Sequence, residues 1–320
     1  MPELGWVLCG AVALAVIAVS VLITSYVAFN MTFHASDKSR TNENNKISAP
    51  VIEGFAPFRD KMGEWFREVK ELSYTDVETV SFDGLRLRGK FFEYKVGAPI
   101  EIMHHGYRGN ADRDLSCWVL RARRQGRSAL IVDHRACGRS EGEVVTFGIN
   151  ESRDCLSWIE YVIKNIDPEA KVILTGVSMG AATVMMAAGR AELPENVIGV
   201  IADCGYTSPR EIIKKTMRDM KLPSNLLYPC VRLGGIFFGK FDIEETSPIE
   251  AMKQCKVPVI FIHGDTDSFV PYDMSVRNFE ACAAEKKKLV AVKGAAHGVA
   301  YHSDPEGYTK SIDEFFEEIL

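Results

Sequence analysis

The sequence predicts an α/β fold, with a mostly parallel central sheet carrying helices on both faces, a small helical lid insertion and one N-terminal transmembrane helix. Three observations predict it. After Tyr74, short β-branched runs alternate with longer helical patterns, which is the signature of a parallel sheet. About fifty residues interrupt that alternation between positions 206 and 256. Residues 4–33 carry no formal charge and are almost all apolar.

The apolar N-terminus comes first. Trp6 to Ile23 is broken only by Gly10 and Ser20, long enough to cross a hydrocarbon core of about 30 Å. Trp6 and Tyr26 bracket the run, where amphipathic rings favour the interface. A cleaved signal peptide would want a positive n-region, a shorter apolar stretch and a small-x-small cleavage site. Met1-Pro2-Glu3 has no cation, and the one candidate, Ala18-x-Ser20, is buried within the run. Residues 1–33 therefore read as an uncleaved anchor. Lys38, Arg40 and Lys46 follow it with nothing basic before, which leans toward a cytoplasmic catalytic domain. Residues 34–49 are polar and Asn/Ser-rich and read as a linker, with a catalytic domain over 50–320.

Within that domain, residues 57–72 repeat apolar positions at helical spacing. A hairpin fits Val77–Phe82 and Leu85–Tyr94, turned by Asp83-Gly84. Apolar strands are expected at Pro99–Met103, Ala129–Val132, Lys171–Thr175, Val197–Ala202, Val257–Ile262 and Lys288–Val292. Helical patterns lie near 112–125, 150–165, 179–190, 272–284 and 305–319, the last capped by Asp304-Pro305. Inside the 206–256 insertion, Ser208-x-x-Glu211 and Ser247-x-x-Glu250 are capping boxes that start helices. Tyr228, Phe237, Phe238 and Phe241 make the insertion aromatic, so it either roofs a substrate pocket or packs upon itself.

Composition excludes several classes. The 320 residues carry 38 Lys and Arg against 43 Asp and Glu, a net charge of -5, with no basic stripe for nucleic acid. At 47% apolar and 25% charged, the chain is ordinarily globular. Eight scattered cysteines, none in a C-x-x-C, fit reduced thiols rather than a disulfide framework or a zinc site. No phosphate-cradling loop or dinucleotide fingerprint is present, so no cofactor and no metal is expected. Oligomeric state leaves no mark on the sequence.

The chemistry is concentrated in three loops. Gly176-Val177-Ser178-Met179-Gly180 joins the strand KVILT to the helical stretch AATVMMAAGR. A serine hydroxyl is a poor nucleophile and must be held exposed beside a base; a sharp strand-to-helix turn with small neighbours does this. The Met179 N–H then starts a helix and points where an oxyanion would form. The loop after VPVIFI offers two carboxylates, with Asp267 preferred over Asp265 to orient an imidazole. Gly294-Ala295-Ala296-His297-Gly298 follows the last strand and supplies that imidazole, with His302 as the competing one. The order Ser, acid, His is itself informative. His104-His105-Gly106-Tyr107-Arg108-Gly109 ends an earlier strand, and the Tyr107 N–H is the natural second oxyanion donor.

These motifs, in this order, resemble the α/β-hydrolase fold superfamily. Within it, HHGYRGN, DHRACGRSEG, GVSMG, HGDTDSFVP and GAAHG, spread over residues 104–298, look like bacterial membrane-anchored hydrolases near the serine aminopeptidase-like and BEM46-like groups. The resemblance covers the chain from about residue 75 to its end and is specific for fold and triad, not for substrate. It implies structural roles for Arg135 and Gly138 in the loop after the fourth strand. Ala136 stands where the family often has Gly, which implies a slightly different backbone there.

Three functions are then open. The first is hydrolysis of an ester, thioester or lipid-ester acyl bond at the membrane through an acyl-enzyme. The second is a peptidase on short peptides, with Arg108 and Arg232 as candidates to hold a terminus. The third, from another class, is a non-catalytic membrane-bound binding protein.

Overall fold

The structure is a computed structural model that describes residues 2–35 and 53–320. Eight strands form one sheet in the order β1-β2-β4-β3-β5-β6-β7-β8. They are β1 Thr75–Val80, β2 Arg86–Phe92, β3 Ile100–His104, β4 Ser128–Val132, β5 Val172–Val177, β6 Val197–Asp203, β7 Val259–Gly264 and β8 Lys287–Val292. β2 pairs antiparallel with β1 and β4; every later pairing is parallel. Each strand ends within two residues of its expected position, and the hairpin turn closes on Gly84 at φ 92.

The helices are α1 Pro2–Thr32, α2 Arg59–Lys70, α3 Ala111–Arg124, α4 Ile149–Asn165, α5 Met179–Ala188, α6 Pro209–Asp219, α7 Ser224–Gly234, α8 Pro248–Met252, α9 Tyr272–Ala281, α10 Ala300–Ser303 and α11 Pro305–Phe316. Near-continuous apolar strands are what a sheet covered on both faces requires. Val172 and Leu174 of β5, with Val259 and Phe261 of β7, meet α4, α5 and α8 on one face. Ile173, Ile260 and Ile262 point the other way, into α2, α3 and α11. Successive side chains alternate because the strand period is two.

The insertion builds α6, α7, a π turn over Gly235–Gly239 and α8. Ser208 Oγ accepts the Glu211 N–H at 3.1 Å, and Ser247 Oγ the Glu250 N–H at 3.4 Å. Each serine caps its helix, but neither box closes: the Glu211 carboxylate turns to Arg277 and that of Glu250 to Lys253.

α1 is continuous through the predicted anchor, and Trp6–Thr32 is long and apolar enough to cross a membrane. Its N-terminal part is bare, but Ser25, Phe29 and Phe33 are buried on one stripe. There it packs on α7 and the π turn. The predicted linker differs from expectation at its start. His34 bridges Val144, and the Ala35 N–H donates to the Glu143 carbonyl at 2.7 Å, so 34 and 35 belong to the folded body. The rest of that linker, 36–49, lies outside the described residues.

Ala136 is fully buried with φ 61°, in the left-handed region that glycine favours. Arg135 beside it grips Asp154 at 2.6 and 2.7 Å and Asp83 at 2.9 and 3.0 Å. The loop after β4 is thus clamped to α4 and to the β1–β2 turn.

Candidate active site

Ser178 sits at the carboxyl end of β5 with φ 57° and ψ -115°, a conformation non-glycine residues rarely adopt. Such strain costs on the order of 1–3 kcal/mol and persists only where the surroundings over-determine it. Here they do. The Ser178 N–H donates to the Asp203 carbonyl at 2.8 Å, and its carbonyl accepts from the Ala182 N–H at 3.0 Å. A Cβ on Gly180 would strike the His104 carbonyl, and one on Gly176 would strike Gly180 itself. The G-x-S-x-G pattern is therefore a packing requirement of the turn.

Two other loops arrive from β7 and β8. His297 Nε2 lies 2.9 Å from Ser178 Oγ, and His297 Nδ1 lies 2.6 Å from Asp267 Oδ2. With the Nδ1 proton on the carboxylate side, Nε2 is free to accept from the serine hydroxyl. Asp267 Oδ1 accepts the Phe269 and Val270 N–H groups at 2.9 and 2.8 Å. Burial alone would raise the Asp267 pKa, but hydrogen bonds from His263 and His297 outweigh it and hold the group at about 2. The carboxylate is ionised at neutral pH.

The competing groups are elsewhere. Asp265 Oδ1 accepts the Gly294 N–H at 2.6 Å and pins the next loop instead. His302 is buried among the rings of Phe55, Phe58 and Trp65, and that burial lowers its pKa to about 4.

The two expected oxyanion donors flank the serine. Met179 is the first residue of α5, where an N–H has no intrahelical acceptor. Gly106, immediately before Tyr107, lies so near that a Cβ on it would be 3.7 Å from Ser178 Cβ. The loop is held by His105, whose Nε2 accepts the His134 N–H at 3.1 Å. The Tyr107 hydroxyl donates to the Thr32 carbonyl at 2.6 Å, and Arg108 donates to the Met31 and His34 carbonyls at 3.0 and 2.7 Å.

Two neighbours carry no signal that sequence reasoning used. His263, the last-but-one residue of β7, reaches the same Asp267 Oδ2 as His297, at 3.1 Å. Cys204, at φ 46° after β6, brings its sulfur within 4.8 Å of ligand atoms of Asp267 and His297. That grouping makes a poor cation site: the imidazole and carboxylate are bonded to each other, and burial, then the Asp203 and Asp267 charges, push the thiol pKa well up. A histidine ending an apolar strand was the one available hint for His263.

The insertion differs from a simple roof. Phe241 packs edge-on against Phe33 at 5.1 Å, and Phe238 against Tyr26 at 5.1 Å and Phe29 at 5.9 Å. Phe238 and Phe241 face the end of α1 rather than an open pocket. Arg232 is bound to Asp242 at 2.7 Å and to Glu244 at 2.7 Å.

Sheet order, strand-to-helix serine turn and three converging loops define an α/β-hydrolase, and the chain is a hydrolase of that superfamily. The family model of the prolyl oligopeptidase family matches residues 146–320, and the chain belongs to that family. It is similar to the uncharacterized protein YqkD of Bacillus subtilis, 30% identical over 196 residues, 61% of this chain and 63% of that one. Protein bem46 of Schizosaccharomyces pombe is 26% identical over 193 residues, 60% of this chain. The matches span 63% and 58% of those two proteins' lengths. The structure of the Pyrococcus furiosus esterase Pf2001 superposes with a TM-score of 0.66 over 86% of this chain and 99% of that one, at 21% identity, a likeness of fold.

Proposed function

We propose that the protein is a membrane-anchored serine hydrolase that cleaves an acyl bond through a covalent acyl-enzyme, with an ester, thioester or lipid ester as substrate. The observation that carries this reading is the run of contacts from Ser178 Oγ to His297 Nε2 at 2.9 Å and from His297 Nδ1 to Asp267 Oδ2 at 2.6 Å.

The steps follow from those contacts. Ser178 Oγ attacks the carbonyl carbon while His297 Nε2 takes the hydroxyl proton. Asp267 holds the ring in the tautomer that can accept it and stabilises the imidazolium. The oxygen that becomes negative is met by the Met179 and Tyr107 N–H groups, each such donor being worth about 3 kcal/mol. His297 returns the proton to the leaving oxygen or sulfur, and the acyl group stays on Ser178. Water then repeats the sequence, deprotonated by His297, and frees the acid.

The anchor reading is supported by the same helix that a signal peptidase would remove. Leu8, Val12, Val16 and Ile17 are exposed, as lipid-facing residues would be, whereas Ser25, Phe29 and Phe33 are buried in the hydrolase body. Cleavage would empty sites the fold has filled. All eight cysteines are free thiols, which together with Lys38, Arg40 and Lys46 favours a cytoplasmic catalytic domain.

Family membership favours a second reading, a peptidase on short peptides. Against it, Arg108 and Arg232, the expected holders of a terminus, are already engaged. A binding protein without catalysis is disfavoured by the intact set of three groups. The test is a panel of p-nitrophenyl esters, acyl thioesters and aminoacyl amides, run on the full chain beside Ser178→Ala. Ester and thioester turnover lost in the variant is expected. Turnover of amides alone would favour the peptidase, and equal rates in both proteins, with no fluorophosphonate labelling, would leave the binding protein.

A further inference from the structure

The lid carries an apolar stripe that the fold leaves uncovered. α7 buries Ser224, Tyr228, Val231 and Gly234 on its inner side. Leu226, Cys230, Leu233 and Phe237 follow one another around the other side at helical spacing. Leu226 is 72% and Phe237 61% exposed, Ile236 beside Phe237 is exposed as well, and Cys230 and Leu233 between them are half-buried. Contiguous apolar surface of this kind marks a contact with protein or lipid.

Where α7 sits identifies the occupant. α7 and the π turn pack along the final turns of α1. Gly234 backs so closely onto Ser25 and Phe29 that a Cβ there would strike the Ser25 carbonyl. Phe238 meets Tyr26 edge-on. Counting from Trp6, about 20 residues at 1.5 Å per residue cover a hydrocarbon core of about 30 Å. That brings the bilayer boundary close to Ser25 and Tyr26, the level at which aromatic rings gather. The stripe therefore continues an apolar surface that begins on the membrane span itself, and the exposed Lys240 beside it suits anionic headgroups.

We infer that Leu226, Cys230, Leu233 and Phe237 lie in the interface of a phospholipid bilayer, and that the lid takes its acyl substrate from that layer rather than from water. This deepens, and rests on, the reading of residues 1–33 as an uncleaved anchor and of Ser178 as nucleophile. Docking the stripe holds α7 at the bilayer surface, about two turns of α1 before Thr32, whose carbonyl accepts from the Tyr107 hydroxyl beside the serine loop.

The test uses the full chain reconstituted in phosphatidylcholine/phosphatidylglycerol vesicles, with Cys9 and Cys230 replaced by Ser. A fluorophore is placed at Phe237→Cys, at Leu226→Cys, or at Val96→Cys, whose position is 89% exposed on the hydrolase body. At 226 and 237, quenching by headgroup-level nitroxide lipid and protection from aqueous iodide are expected; at 96, the reverse. Iodide quenching at 237 equal to that at 96 overturns the docking. Protection from iodide without nitroxide quenching, with a chemically crosslinked dimer, assigns the stripe to a second copy and overturns it too. A chain that carbonate washes from the vesicles fails the anchor reading and takes the docking with it; a retained chain with iodide-accessible 226 and 237 fails the docking alone. Fluorophosphonate labelling of Ser178 in each sample reports separately on the hydrolase reading. In the Leu226→Gln/Phe237→Gln double variant, the ratio of turnover on a vesicle-borne long-chain ester to that on a dissolved short ester should fall about tenfold. An unchanged ratio would refute delivery from the bilayer.

Discussion

His263 and His297 approach the same oxygen of Asp267, at 3.1 and 2.6 Å. His263 is itself fixed by Ser275 Oγ at its Nδ1, 2.6 Å away, so its Nε2 carries the proton it directs at Asp267 and the Val270 carbonyl. The carboxylate thus has one histidine to orient and another that orients it. Replacing His263 by Ala removes a hydrogen bond to a charged group, worth about 1.5–3 kcal/mol. We expect kcat on a short ester to fall roughly ten- to a hundredfold, with KM little changed. An unaltered kcat in a folded variant would mean that Asp267 needs no such support.

The two carboxylates of the β7 loop should separate sharply. Asp267→Asn puts the wrong tautomer on His297 and is expected to lower kcat by about 10⁴. Asp265→Asn disturbs only the Gly294 loop and should stay within about tenfold, since one loop hydrogen bond is worth about 1 kcal/mol. Steady-state kinetics of the two variants decide the assignment, and similar losses in both would undo it.

Phe33 is a test of how far the anchor belongs to the enzyme. It is fully buried between Phe147 and Phe241, so Phe33→Ala should cost about 3–5 kcal/mol of stability, read from denaturant unfolding in detergent. Tyr107→Phe removes only the hydroxyl bond to Thr32 and should cost about 1 kcal/mol. A fragment starting at residue 50 lacks Phe29 and Phe33, and its unfolding midpoint should lie below that of the full chain. Equal stability would show that the helix end merely rests on the body.

Asp203 gives the protein a pH dependence of defined sign. Burial, against the opposing influence of His263 and a hydrogen bond from Tyr308, pushes its pKa up to about 6, whereas an unfolded Asp titrates near 3.9. Between those values the native state holds a proton the unfolded state has lost. This group therefore favours folding below about pH 4, and its contribution fades as pH rises through 6, by at most about 2–3 kcal/mol. Asp203→Asn should flatten that part of the stability profile. A variant curve parallel to the parent's from pH 4 to 7 would rule the effect out.

How much of this was legible in the sequence differs by element. Strands β3 to β7 read clearly because a covered parallel strand must be apolar on both faces, and the serine turn read clearly because glycines at 176 and 180 leave no room for another residue. His263 escaped, since a histidine ending a strand looks the same whether it serves the loop ahead or fills the core. The aromatics at 237, 238 and 241 were legible as a cluster, but not that 238 and 241 would face α1 while 237 stayed exposed.

The order of chemistry-bearing loops, the two-faced sheet and a helix apolar enough to span a bilayer were determined by local pattern: period, turn chemistry and spacing act over a few residues and survive in a bare sequence. Which carboxylate meets His297, that Ser178 is held at positive φ, and that the end of α1 closes on Tyr107 and the lid were decided only by the tertiary structure. Those contacts join residues tens to hundreds of positions apart, and a hydrogen bond is a matter of a few tenths of an ångström, which the packing of the whole sheet sets and no short stretch of chain contains.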